Sequence, residues 1–119
     1  MYGLPESVDL GFLSGSTLVQ ICVGENDLIL NFYKDVSITV ESCVGCEDGS
    51  GAVQRFGDFR QAAGMLFAFL GQDVRVAVRA SQTTLVLEFE SGKRIEIYDD
   101  SEQFESFVIR YEGKYHIIV

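Results

Sequence analysis

The sequence predicts an α+β domain that is mostly antiparallel β, and three features carry that prediction. Apolar and polar residues alternate with a period of two in several short segments, a self-similarity recurs at a spacing of 57 residues, and one segment has a helical start and stop. Phe12 to Ser42 lies on Phe69 to Asp99 without a gap, and seven of the 31 pairs are identical: Phe12/Phe69, Leu13/Leu70, Val19/Val76, Leu28/Leu85, Leu30/Leu87, Phe32/Phe89 and Ile38/Ile95. The expectation is a single domain, 1–119, built on an internal duplication (12–42 and 69–99) of a three-strand meander.

In the first copy the expected inward residues are Val19, Ile21 and Val23, then Leu28, Leu30 and Phe32, then Ile38 and Val40. The second repeats this with Val74, Val76 and Val78, then Leu85, Leu87 and Phe89, then Ile95 and Ile97. Turn-forming residues separate them: Gly24-Glu25-Asn26-Asp27, Lys34-Asp35, Ser81-Gln82-Thr83 and Ser91-Gly92. A C-terminal hairpin, Phe107 to Tyr111 and Lys114 to Val119, turns at Glu112-Gly113, giving about eight strands.

Between the copies one helix is expected near 58–70. Asp58 is a good N-cap with Gln61 three residues on, the pattern of a capping box, and Gly71 can take the positive φ that ends a helix. Phe59, Ala62, Ala63, Met65, Leu66, Phe67, Phe69 and Leu70 leave almost no polar face, so the helix is expected to be buried on more than one side, with Gly64 admitting a neighbouring backbone. The second copy's outward face is charged (Arg75, Arg79, Glu88, Glu90, Arg94, Glu96). The first copy's (Gln20, Cys22, Ile29, Asn31, Tyr33, Ser37, Thr39, Glu41) carries a single charge, so the helix, or else a partner, is expected to cover it.

The 119 residues are 47% hydrophobic and 23% charged, enough for a core and too apolar for disorder. Eighteen acids against nine Lys and Arg give a formal charge of −9, which disfavours binding to nucleic acid. No uninterrupted apolar run exceeds the six residues Met65 to Leu70, no secretory signal pattern opens the chain, and the cysteine count is odd. A cytoplasmic, bacterial protein with no membrane partner is expected.

No catalytic constellation is present in the sequence. Cys43-Val44-Gly45-Cys46 is a CxxC, but it runs into Glu47-Asp48-Gly49-Ser50-Gly51; carboxylates raise a thiol pKa and glycines do not open a helix, so plain loop thiols are expected rather than redox chemistry. A zinc or small-ligand site would have to draw on Cys22, Cys43, Cys46 and His116, and is carried as an alternative function. The run Asp99-Asp100-Ser101-Glu102 lacks EF-hand spacing. The expectation is therefore no enzyme activity, no cofactor and no metal.

Charge is unevenly placed. Residues 1–50 hold eight acids and one base, Lys34, and the stretch Glu96 to Glu105 holds five acids without an intervening base. In the 57-residue register the acidic loop Glu41 to Asp48 falls on Tyr98 to Glu105, and both follow the third strand of their copy, so they are expected on a common rim. Tyr98 is out of phase with Ile95 and Ile97 and should point outward among carboxylates, a composition suited to gripping a basic protein. The expected partner surface is Tyr98, Asp99, Asp100, Glu102 and Glu105, with Glu47 and Asp48 as a second patch.

Leu85, Leu87, Phe89, Gly92, Ile95 and Ile97, followed by Asp99-Asp100-Ser101-Glu102-Gln103-Phe104-Glu105-Ser106-Phe107, resemble a pattern of small bacterial proteins in which an L-x-L-x-F-x-x-G-x-x-L-x-I run precedes an acidic, aromatic segment. The chain is similar to the small immunity proteins of contact-dependent growth inhibition and related polymorphic-toxin systems. That resemblance implies a cytosolic inhibitor, monomeric when free, that binds one cognate toxin protein 1:1, expected to be a basic nuclease such as a ribonuclease, and occludes its active site. A homodimeric structural module is a further alternative.

Overall fold

A computed structural model describes residues 3–48, 50–101, 104–111 and 115–119, with backbone alone for Tyr115, His116 and Ile118. Among the described residues a short 3₁₀ turn (Gly11–Leu13) precedes ten strands and one α-helix: β1 (Leu18–Val23), β2 (Leu28–Phe32), β3 (Val36–Val40), β4 (Cys43–Glu47), β5 (Val53–Phe56), α1 (Phe59–Phe67), β6 (Val74–Ser81), β7 (Thr84–Phe89), β8 (Arg94–Tyr98), β9 (Phe107–Tyr111) and β10 (Tyr115–Ile118). They form two five-stranded antiparallel sheets, β1-β2-β3-β9-β10 and β5-β4-β8-β7-β6. The expected turn at Glu112-Gly113 lies outside the described residues.

The chain exchanges strands between its two sheets. β4 follows β3 but pairs with β8, and β9 follows β8 but pairs with β3. The inner faces of both sheets enter one core, in which Leu30, Phe32, Leu66, Leu87 and Phe89 are buried as the sequence predicts. Where the two units meet, the hydrogen bonds come in matched pairs. Leu18 N donates to Gln72 O and Val74 N to Ser16 O, while Gly71 N donates to Leu18 O and Gly15 N to Val74 O; Tyr33 N to Thr17 O repeats as Glu90 N to Asp73 O. Sequence spacing of 56 or 57 residues thus reappears as a local twofold arrangement of backbone.

The structure changes several details. The segment 43–47, expected as loop, is strand β4, and 53–56, to which the sequence assigned no element, is strand β5. Val19 is 53% exposed rather than inward, and Val76 and Val78 also face out. Bulges at Leu18/Gln20 in β1 and Val74/Val76 in β6 shift the alternation by one residue and turn those valines to the solvent side. The same shift turns Arg79 from the expected outer face to the N-terminal segment, where its Nε donates to Leu4 O. The other turns fall as expected, and in the three-residue connection between Phe32 and Val36 both Lys34 and Asp35 take left-handed φ, 68° and 62°.

The helix is shorter and more amphipathic than its composition implied. Phe59, Ala62 and Leu66 are buried, but Phe67 is 50% exposed, and Leu70, just past the helix end, is 42% exposed, so a single face is covered. It packs on β4, β1 and β5 and does not lie across the outer face of β2 and β3. A Cβ on Gly64 would meet nothing within 4 Å, so this glycine serves no close approach. Asp58 does cap the helix, through Oδ1 to Arg60 N at 3.0 Å. The Arg60 guanidinium closes back on both Asp58 oxygens, lowering the Asp58 pKa and raising its own.

Candidate functional site

The CxxC lies along a strand, and that placement decides its chemistry. A spacing of three in an extended chain sends Cys43 and Cys46 to opposite faces of the sheet. Cys46 faces the core, and burial pushes its thiol pKa up to about 11. Cys43 faces outward beneath Arg55, whose Nε donates to its Sγ at 3.2 Å, with Asp100 Oδ2 at 3.7 Å on the other side. Burial raises the Cys43 pKa, and Arg55 only partly opposes it. Cys22 sits on the outer face of the other sheet, beside Asn31. The three thiols therefore do not converge; the His116 side chain lies outside the described residues, among which no group of three Cys, His, Asp or Glu side chains could hold a metal.

Around Cys43 the outer face of β4 and β8 carries a connected polar chain. The Arg55 guanidinium lies 4.0 Å from the Tyr98 ring centroid, Tyr98 OH donates to Glu96 Oε1 at 2.8 Å, and Arg94 Nε donates to Glu96 Oε2 at 3.0 Å. Arg94 also meets Glu47 Oε1 at 3.5 Å. Gly45 makes room for this: a Cβ there would strike the Tyr98 hydroxyl, and Val53 Cγ1 at 2.8 Å. Tyr98 does point outward, but both its ring and its hydroxyl are engaged within the sheet. Burial, then the Glu96 carboxylate, raises its pKa.

The acidic residues separate into distinct classes. Asp99 is 3% exposed; Oδ2 accepts from Gly3 N at 2.5 Å and Oδ1 from Ser106 Oγ at 2.7 Å, so it ties the N-terminal segment and the start of β9 to the end of β8. A carboxylate used this way is not available to a partner. Asp100 and Glu105 are exposed, whereas Glu102 lies outside the described residues. Asp48 holds a tight turn: Oδ1 accepts from Ser50 N at 2.8 Å and Ser50 Oγ at 2.5 Å, and Oδ2 from Gln54 Nε2 at 3.1 Å. These bonds lower its pKa to about 2.

The two acidic patches, Glu47 with Asp48 and Asp100 with Glu105, do not share a rim, although Glu41 N donates to Ser106 O. Cys43 pairs with Tyr98 and Cys46 with Ile95, so Asp100 and Asp48 lie beyond opposite ends of the β4–β8 ladder, whose three steps alone span roughly 10 Å. The residue that sequence reasoning passed over is Phe104. It is 75% exposed between Asp100 and Glu105, with its amide donating to Ser101 Oγ at 3.1 Å. Its signal was its position in a segment with no alternation and no helical period, where an aromatic has no assigned core face.

Two grooves of about 270 Å³ occupy equivalent places in the two units. The first is lined by Phe12, Gly15, Lys34, Val36 and Tyr111, together with the Ser14, Ser16 and Thr17 hydroxyls. The second is lined by Phe69, Gln72, Ser91, Lys93 and Asp48, with Glu47, Met65 and Ala68. No helix among the described residues is long and apolar enough to cross a membrane. No protein-family model, curated protein or solved structure matches the chain.

Proposed function

We propose that this protein is a cytoplasmic immunity protein with no chemistry of its own, which binds a cognate basic toxin domain 1:1 and blocks its active site. One observation carries the reading: Phe104 stands three-quarters exposed between the exposed carboxylates Asp100 and Glu105. An aromatic anchor flanked by charge is the composition of a binding hot spot, and a net charge of −9 steers a basic partner toward it. The docking surface is thus Asp100, Phe104, Glu105 and Glu102, with Tyr98 and Asp99 as the rigid support beneath. Carboxylates there take the place of substrate phosphates against the toxin's Lys and Arg.

The test is complex formation with the product of the reading frame immediately upstream, where the proposal expects the toxin domain. Phe104→Ala is expected to weaken binding by about 2 kcal/mol, roughly 30-fold. Asp100→Lys with Glu105→Lys is expected to slow association, flatten its salt dependence and remove protection in cells while the protein stays folded. Asp99 is left unchanged in these variants, because its loss would unsettle the fold. Wild-type affinity in both variants would move the interface elsewhere.

A further inference from the structure

We propose that β1 is a docking edge for a second copy of this chain: two β1 strands pair antiparallel about a twofold axis through Cys22. Gly24 N donates to Asp27 O at 2.9 Å, so ladder alternation turns the Gln20 and Cys22 backbone toward β2 and the Ile21 and Val23 backbone away from it. Beyond the bulge Leu18 also faces away, and its N–H and C=O meet Gln72 O and Gly71 N. The N–H and C=O groups of Ile21 and Val23 have no partner on that side among the described residues. Exposed edges are ordinarily protected by charge or by cover. The equivalent strand β6 carries Arg75 and Arg79, and Leu4 N donates to Gln82 O just past its end. β1 carries no charge from Leu18 to Gly24.

What fits this edge is β1 itself. With Cys22 on the axis, Ile21 of each copy lies opposite Val23 of the other, and each pair exchanges both of its backbone hydrogen bonds. Ile21 and Val23 are only partly buried against the core, and each gains a β-branched neighbour. The net charge of −9 opposes self-association over most of the surface. In this register, however, Glu25 of the two copies stands roughly 20 Å apart, beyond a Debye length of about 8 Å. The Gly71–Gln72 segment bounds the ladder at one end and the β1–β2 turn at the other, so the interface is small and the dimer dissociates on dilution. The free protein is then a dimer rather than the monomer that the resemblance implies, and each copy keeps its own segment around Phe104.

Two measurements on the free full-length protein test it. By sedimentation velocity in reductant, the mass is expected to rise from monomer toward dimer over a micromolar-to-millimolar series. Cys22→Lys and Cys22→Glu each set like charges face to face on the axis, at a half-exposed position on the outer sheet face, and each is expected to stay monomeric. An equimolar mixture of the two is expected to dimerise again. Diamide is expected to link the wild type through Cys22, because partners of this kind hold their Cα atoms about 4.5 Å apart, within reach of a disulfide. Cys43 and Cys46 are buried. Gln20→Cys in a Cys22→Ser background is expected to give about tenfold less product, since position 20 faces Gly24 of the second copy and lies roughly 14 Å from its own counterpart. A wild-type mass that stays monomeric at every concentration, Cys22→Lys dimerising as the wild type does, or equal cross-linking at position 20 would overturn the assignment. Protection of Ile21 and Val23 only when a toxin is bound would give the edge to the toxin and overturn it equally. No toxin enters either measurement, so the outcome is independent of the docking segment.

Discussion

The two grooves occupy the same place in two copies of one backbone pattern, yet they share almost no chemistry. Phe12 answers to Phe69, Gly15 to Gln72, Lys34 to Ser91 and Val36 to Lys93 at a spacing of 57. Continuing the β4–β8 and β3–β9 registers brings Asp48 and Tyr111 to matching positions. One groove is hydroxyl-rich with a stacked Phe12–Tyr111 pair at 4.6 Å; the other is carboxylate-rimmed above a buried Phe69 that sits 5.0 Å from Phe89. Inward positions behave differently: Leu28/Leu85, Leu30/Leu87, Phe32/Phe89 and Ile38/Ile95 are identical and buried. Close packing permits little change of volume inside, whereas groove walls are free to vary, so sequence difference between the units concentrates where ligands and partners can reach.

The largest test of that contrast compares Phe69 with Phe12. Phe69→Ala should cost about 3–5 kcal/mol, because the ring is fully buried. Phe12→Ala should cost about 1–2 kcal/mol, since the ring only partly joins the core. Equal losses by urea denaturation would mean the grooves are structurally equivalent after all. Next come the matched positions Asp99 and Ser42. Asp99→Ala removes the acceptor for Gly3 N and Ser106 Oγ and should cost about 2–3 kcal/mol, whereas Ser42→Ala loses one hydroxyl bond to Tyr98 O and should cost about 1 kcal/mol. Asp100→Ala, one residue along and exposed, should stay within about 0.5 kcal/mol.

The smallest effect is confined to alkaline pH. Cys46 and Ile109 fill matching core positions, but only Cys46 titrates. Its folded pKa, about 11, lies above the ordinary thiol value of 9.0, so its contribution is complete below pH 9 and is lost as pH rises through 11. Wild-type urea midpoints should therefore fall between pH 9 and 11, and less so in Cys46→Val. Identical profiles would show that this thiol ionises freely in the folded protein.

Much of the fold was legible because four strands, β2, β3, β7 and β8, expose one face and bury the other, which writes a period of two into the sequence. β4 was not, because Cys43 to Cys46 are buried on both faces and no alternation survives. The bulges in β1 and β6 were equally silent: they move valines outward without changing composition. The helix was located correctly, but a segment rich in Phe and Leu gave no hint that Phe67 and Leu70 would face solvent. In the acidic segment the sequence located the exposed charge at Asp100 and Glu105. It did not distinguish Asp99, since a carboxylate that holds backbone and one that meets solvent look alike in a run of acids.

The docking proposal is tested most directly by amide hydrogen exchange on a complex with the proposed toxin, sought as the product of the reading frame immediately upstream. The account predicts slowed exchange at Phe104 and Glu105, with the first unit's groove unchanged. Slowed exchange confined to the outer face of the first sheet, around Ile29 and Tyr33, would contradict it.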